Sequence, residues 1–220
     1  MQGQGLYKSL GLPLPDAPAK EKTFVLIYAA STATGLYGIQ FAKASGLTAI
    51  ATASPHNFDY LKSLGADAVF DYRSPTCAAD IKSYTENKLR FAWDCMGTGA
   101  KVCAAAMSDA EGGTYGTINP ADQALLKQTN PKVAGPLMTV GYEAFGEEWI
   151  WNGYRMPGKK DEVEFAAKFF DLSHRLLADE TVRIINYKVN EPSPGLQGAL
   201  QGLDELRVNK VSGVKLVYTI

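Results

Sequence analysis

The sequence predicts an α/β protein built on a doubly wound, six-stranded parallel sheet, followed by helices and strands of a different architecture. Three observations point there. Short, β-rich apolar runs alternate with helical patterns from Phe24 to about Gly141. The first of these runs passes through a string of small residues straight into a helix, the layout of an anion-binding turn. A β-α-β-α-β unit closes at Tyr72, and the alternation then starts again.

Residues 1–22 are rich in Gly, Pro and Lys and read as a connector, with a short helix over Gly5–Leu12 and an extended Pro13–Pro18. Phe24–Tyr28 is a buried strand, Ala29–Gly35 the small-residue turn, and a helix runs from near Leu36 to Gly46. The second strand is Thr48–Ala53. Ser54-Pro55 then offers an N-cap and a proline in the first helical position. That helix carries Phe58, Leu61 and Leu64, stops at Gly65, and leads to a third strand, Ala68–Tyr72. A helix over Cys77–Lys88, the strand Phe91–Asp94, a helix over Ala100–Ala110, and the strands Thr114–Ile118 and Leu137–Gly141 complete the sheet in the order 3-2-1-4-5-6. The sheet domain spans 23–145.

Residues 146–220 follow another pattern. Trp149, Trp151, Tyr154 and Pro157 make an aromatic, irregular loop. A helix over Lys160–Leu177 carries two apolar stripes, one of Val163, Ala167, Phe170 and Leu177 and one of Phe165, Phe169, Leu172 and Leu176, which predicts burial on two sides. Ile184–Val189 and Val214–Ile220 read as strands, with a one-sided helix marked by Leu196, Leu200, Leu203 and Leu206 between them.

The formal net charge of −1 argues against a nucleic-acid surface, and no apolar run is long enough to span a bilayer. The three cysteines, Cys77, Cys95 and Cys103, form no C-x-x-C pair and read as thiols of a reducing compartment. With only His56 and His174 available, a histidine-based metal site is not expected. The composition is that of a soluble cytoplasmic protein.

In the dinucleotide fingerprint G-x-G-x-x-G the glycine positions fall here on Ala30, Thr32 and Gly35, so only the last is kept. Alanine still permits close backbone approach, and Ser31, Thr32 and Thr34 add hydroxyl donors for a pyrophosphate; the same string also serves as a ligand-free βα turn. At the end of the second strand an NAD site wants an acid. This chain has Ser54, Pro55, His56 and Asn57, and no acid before Asp59. Ser54 and Asn57 as donors, the helix dipole and a protonatable His56 favour NADPH over NADH. Ser54 also reads as a plain helix cap, and Tyr72 either as a neighbour of the adenosine phosphate or as core. Asp94-Cys95 lacks a nearby base and reads as structural, Glu143, Glu147 and Glu148 as a solvated loop face, and no residue stands out as catalytic.

The segments VLIYAASTATG, ATASPHNFDYLKSLGADAVFDY, FAWDCMG, GGTYGTI, TVGYEAFGE and KVSGVKLVYTI resemble the zinc-free medium-chain dehydrogenase/reductases, and among them the fungal enoyl reductases that act in trans with polyketide synthases. The resemblance implies NADPH contacts at Ser31, Thr32, Ala33, Thr34, Ser54, Pro55, His56, Asn57 and Tyr72, and further ones at Thr117, Ile118, Val211 and Ser212. It implies an acyl-substrate pocket along Val140, Gly141, Tyr142, Glu143 and Ala144, no metal, and reduction of an α,β-unsaturated thioester in secondary metabolism. It further implies that an N-terminal catalytic domain is absent. The strands at 184–189 and 214–220 would then pair with a second copy or another protein, such as the polyketide synthase, or pack in a rearranged way. A truncated scaffold guiding a cyclisation, and a non-catalytic cofactor-binding or interaction module, are the alternatives.

Overall fold

The computed structural model describes residues 1–151 and 153–220. Its centre is a six-stranded parallel sheet in the order β3-β2-β1-β4-β5-β6, as the alternation predicts. The strands are β1 (Phe24–Tyr28), β2 (Thr48–Ala53), β3 (Ala68–Asp71), β4 (Phe91–Asp94), β5 (Gly113–Thr117) and β6 (Val133–Met138). Helices α1 (Ala33–Ala44), α2 (Phe58–Ser63), α3 (Cys77–Tyr84), α4 (Ala100–Ala106) and α5 (Gln123–Thr129) connect them.

All five residues of β1 are buried, as expected of a strand covered on both faces. Their alternation divides the core. Val25 and Ile27 join Leu6, Ile39, Leu61 and Trp93 on one side. Phe24, Leu26 and Tyr28 join Ile50, Ile81, Cys103 and Tyr115 on the other. Trp93 is wholly buried and supports a π-helix over Gly3–Ser9, where a side chain at Gly5 would overlap the indole. The close approach of that helix to the sheet therefore requires glycine at position 5.

Several boundaries differ from expectation. The first helix begins at Ala33 rather than near Leu36, because Thr32 caps it. The N-terminal helix covers Gly3–Ser9 rather than Gly5–Leu12. Helix α3 ends at Tyr84, where Glu86 and Asn87 take positive φ, and α4 ends at Ala106. Helix α5 was not anticipated, although Asp122 accepts from the Leu125 amide as an ordinary N-cap. Strand β6 lies at 133–138 rather than 137–141. It is an edge strand that carries Pro136 and a register shift against β5, two devices that blunt an exposed edge.

The aromatic stretch after the sheet forms a hairpin, β7 (Trp149–Trp151) with β8 (Tyr154–Met156), rather than an irregular loop. Helix α6 (Lys160–Ala178) packs through one stripe only. Phe165, Phe169 and Leu176 lie against the main core, while Phe170 is 70% exposed and Val163 and Leu177 are exposed as well. β9 (Tyr187–Val189) and β10 (Lys215–Val217) pair with each other in parallel, so these two strands find a partner within the chain. Between them α7 (Gly195–Arg207) exposes Leu196, Leu200, Leu203 and Leu206. The segment leading to β9 is fastened to α1 by Gln40, which accepts from the Arg183 amide (2.7 Å) and donates to the Arg183 carbonyl (3.1 Å). Among the described residues no helix is long and apolar enough to cross a membrane.

Candidate nucleotide-binding site

Strand order reverses between β1 and β4, and in open α/β sheets the crevice outside the carboxyl ends at such a switch is where ligands bind. The turn after β1 forms one wall. Ala29 takes a left-handed φ of 56°, and its amide and that of Ala30 donate to Oγ1 and O of Thr52 at the end of β2 (3.2 and 2.9 Å). The Thr32 hydroxyl accepts from the Gly35 amide (3.1 Å) and donates to the Ala29 carbonyl (2.9 Å). Its proton is therefore spent on the turn, and Thr32 acts as cap rather than as the free donor its residue type suggested. The cap satisfies one orphan amide and leaves those of Ala33 and Thr34 at the positive end of α1.

Gly35 fixes how closely that helix start lies on the turn. A Cβ there would stand 2.5 Å from Ala30 Cα and 2.8 Å from the Ala29 carbonyl oxygen, both backbone atoms. Gly35→Ala is expected to cost about 1–3 kcal/mol by overpacking. It should also weaken nucleotide binding at least about tenfold; chemical denaturation and nucleotide titration check both.

The second helix start lies beside the first. Ser54 precedes a 3₁₀ turn over Pro55–Asn57, but its side chain makes no capping bond. The helix-cap half of its expected double role is thus absent, and the hydroxyl is not consumed by the helix. Asn57 Nδ2 donates to Ser212 Oγ (2.8 Å), and His56 Nε2 lies 3.3 Å from the same oxygen. The Gly213 amide donates to the Ser31 carbonyl (3.2 Å). The segment 211–213 therefore bridges the first turn to the end of β2, bringing Ser31, His56, Asn57 and Ser212 together across 182 positions of sequence, from 31 to 212.

Tyr72 is exposed just beyond β3, in register beside the end of β2, edge-on to Tyr28 at 6.4 Å. The Arg73 guanidinium lies over the Tyr72 ring and pairs with Asp71, holding the Asp71 carboxyl below its ordinary range. Arg73 was not singled out from sequence, since a lone arginine past a strand carries no motif.

The other wall is organised by Asp94, which is wholly buried at the end of β4. It accepts from the amides of Met96, Gly97 and Gly99 (2.8, 2.8 and 2.6 Å) and from the Tyr115 hydroxyl (2.7 Å). Burial first, then the Asp94 charge, pushes the Tyr115 phenol far above its ordinary range. Asn119 Nδ2 donates to the Met96 carbonyl (3.0 Å), latching the loop after β4 to the loop after β5. Thr117 is buried and donates to the Asn119 carbonyl, so its side chain supports that loop; Ile118 is partly exposed. The buried cysteines are inert by the same physics. Burial raises the Cys77 thiol to about 11 and drives Cys95 and Cys103 well up. A thiol reagent at neutral pH should leave all three unlabelled in the folded protein and modify all three after denaturation.

Beyond β6, Thr139 is buried with its hydroxyl 3.1 Å from that of Ser9, and Gly141–Phe145 forms a 3₁₀ turn. Glu143 is paired with Lys159 (2.6 Å) and Glu148 with Arg155 (2.7 Å), so this acidic group is partly neutralised. His174 is exposed on α6.

A family model described as zinc-binding dehydrogenase matches residues 33–135. The trans-enoyl reductase ACTTS2 of Alternaria alternata is 43% identical over 220 residues, covering 99% of this chain and 61% of that protein. The trans-enoyl reductase eqxC of Fusarium heterosporum is 38% identical over 222 residues, covering 99% and 62%. The chain is similar to a zinc-binding dehydrogenase model over its central part and to trans-enoyl reductases over nearly its whole length. It spans about three-fifths of the length of these curated relatives. Solved structures share the fold of this chain. The CurK enoyl reductase superposes with a TM-score of 0.70 at 17% identity, over 98% of this chain and 59% of that one. A putative NADPH:quinone reductase from Bacillus thuringiensis gives 0.73 at 17%, over 100% and 60%. Among the described residues no group of three or more His, Cys, Asp or Glu could hold a metal ion.

Proposed function

We propose that residues 23–145, with Val211 and Ser212 from the C-terminal segment, form the NADPH-binding unit of an enoyl reductase, and that the substrate is an α,β-unsaturated thioester carried by a polyketide synthase. The observation that carries the reading is the convergence of Asn57 and His56 on Ser212, beside an uncapped Ser54. That donor set, a carboxamide, an imidazole and hydroxyls with no carboxylate before Asp59, suits a 2′-phosphate and would serve a bare 2′-hydroxyl poorly. The tight contact at Gly35 supports a pyrophosphate at the amides of Ala33 and Thr34, beside Ser31.

NADPH, when bound, supplies the hydride that reduces the β-carbon of an enoyl thioester. The chain's own part is to hold and orient. Ser54, His56, Asn57 and Ser212 fix the adenosine phosphate, with Pro55 setting the turn, Tyr72 at its margin and Val211 in the bridging segment. Ile118 lies at the far end of the crevice, steadied by Thr117 and by Asn119 latched to Met96. Val140, Gly141, Tyr142, Glu143 and Ala144 border the acyl side. The names of the curated relatives, trans-enoyl reductases, support the reaction class and a partner in trans.

The test is a rapid-mixing measurement. The protein is loaded with NADPH and mixed with a 2-enoyl thioester, and loss of reduced-nicotinamide absorbance should accompany formation of the saturated thioester. Nucleotide that binds but stays reduced, with no saturated product, would remove the enoyl reductase reading.

A further inference from the structure

Helix α6 meets the body of the protein along one face only. Phe165, Phe169 and Leu176 lie against the main core, and Leu172 is buried. On the opposite face Val163, Ala167, Phe170, His174 and Leu177 are all exposed. Their spacing of four, three, four and three residues is that of a helix–helix seam, d-a-d-a-d in heptad terms. The stripe is about 21 Å long, with a bare phenylalanine ring at its middle.

The charges beside the stripe select what covers it. Glu164, Lys168, Asp171 and Arg175 form one exposed row along a single flank. Glu164–Lys168 and Asp171–Arg175 have the four-residue spacing of helical ion pairs, yet among the described residues none of the four is paired. The row runs acid, base, acid, base, so it is complementary to itself when reversed. A second α6 laid antiparallel about a two-fold axis at Phe170 sets that ring on its own copy and Val163 over Leu177. The same register places the small Ala167 against the His174 ring, Glu164 opposite Arg175, and Lys168 opposite Asp171. In a parallel pair the row would face the other flank of the partner helix, Ala166 and Ser173, and meet no charge. The exposed leucines of α7 offer no comparable match. Gln197 and Gln201 stand beside them, and Asp204 is already paired with Arg207 in the same helix.

We infer that the outer face of α6 is an interface for a second copy of this chain, forming a two-fold symmetric dimer with Phe170 on the axis. Phe170, Val163 and Leu177 supply the apolar contact, and the four flanking charges fix direction and register. One helix pair is a small interface, so the association is reversible. It depends on neither the nucleotide nor the enoyl reductase reading.

Sedimentation equilibrium of the chain over about three decades of micromolar concentration should show its mass rising reversibly toward twice the monomer value. Phe170→Glu, which sets two carboxylates at the axis, should weaken association at least about 30-fold. Lys168→Glu and Asp171→Lys should each weaken it at least about fivefold, and the two combined should return it to within about threefold of the parent, because the facing pair is only reversed. All these side chains are exposed, so the circular dichroism of the variants should match the parent. Phe170→Cys should give a disulfide-linked dimer on mild oxidation, since the three native cysteines are buried, and Leu203→Cys on α7 should not. A parent chain that stays monomeric throughout, a dimer indifferent to Phe170→Glu, or a charge reversal that fails to restore association would each overturn the inference.

Discussion

Ser54→Asp is expected to weaken NADPH binding by on the order of 100-fold and NADH binding by no more than a few fold. The Ser54 hydroxyl sits at the end of β2 with no capping bond to occupy it, next to the His56–Asn57–Ser212 cluster. A carboxylate at that point would face a 2′-phosphate at about 5 Å, and at an effective dielectric of about 20 that repulsion is worth about 3 kcal/mol. Every 1.4 kcal/mol is about a factor of ten in affinity. The bare 2′-hydroxyl of NADH meets no such repulsion and can donate to the new acid. Paired fluorescence titrations check it. Equal weakening of both nucleotides would remove the 2′-phosphate from this corner of the site.

The largest effect on stability is expected from Asp94→Ala, a loss of about 3–5 kcal/mol, because four donors, two of them fully buried, lose one acceptor at once. Three are backbone amides of the loop 96–99, and the fourth is the Tyr115 hydroxyl, all within 2.8 Å of the carboxylate. Each buried donor left unpaired costs about 1–3 kcal/mol, less than additively where the loop can relax. Tyr115→Phe removes one donor and its partner bond together and should cost about 1–2 kcal/mol. Urea denaturation should show the midpoint falling with little change in slope. An Asp94→Ala protein within about 1 kcal/mol of the parent would mean that Asp94 is not what holds this wall.

The sheet was legible because its strands are short apolar runs set off by glycine, proline and capping residues, and two successive β-α-β-α-β halves with right-handed crossovers assemble most naturally in the doubly wound order 3-2-1-4-5-6. Strand β6 was misplaced because an edge strand need not be uniformly apolar, and Ala134, Gly135 and Pro136 give no strand signal. The two-sided burial expected of α6 failed at Phe170, since periodicity reports which residues share a face and not whether anything covers it. At the site, residue types and helix starts pointed to Ser31, Ser54, His56 and Asn57. Nothing local pointed to Ser212, which meets them only through tertiary structure; the family resemblance supplied it. Asp94 read as structural for want of a base, and the structure gives the positive reason: three of its bonds organise the loop beside the crevice and the fourth ties it to Tyr115 on β5.

Calorimetric titration of the parent chain with NADPH and with NADH at one salt concentration tests the two-helix-start site most directly. Saturable NADPH binding at least about tenfold tighter than NADH, weakened by raising the salt, is the expected result. Equal affinity for the two nucleotides, or tighter binding of NADH, would contradict it.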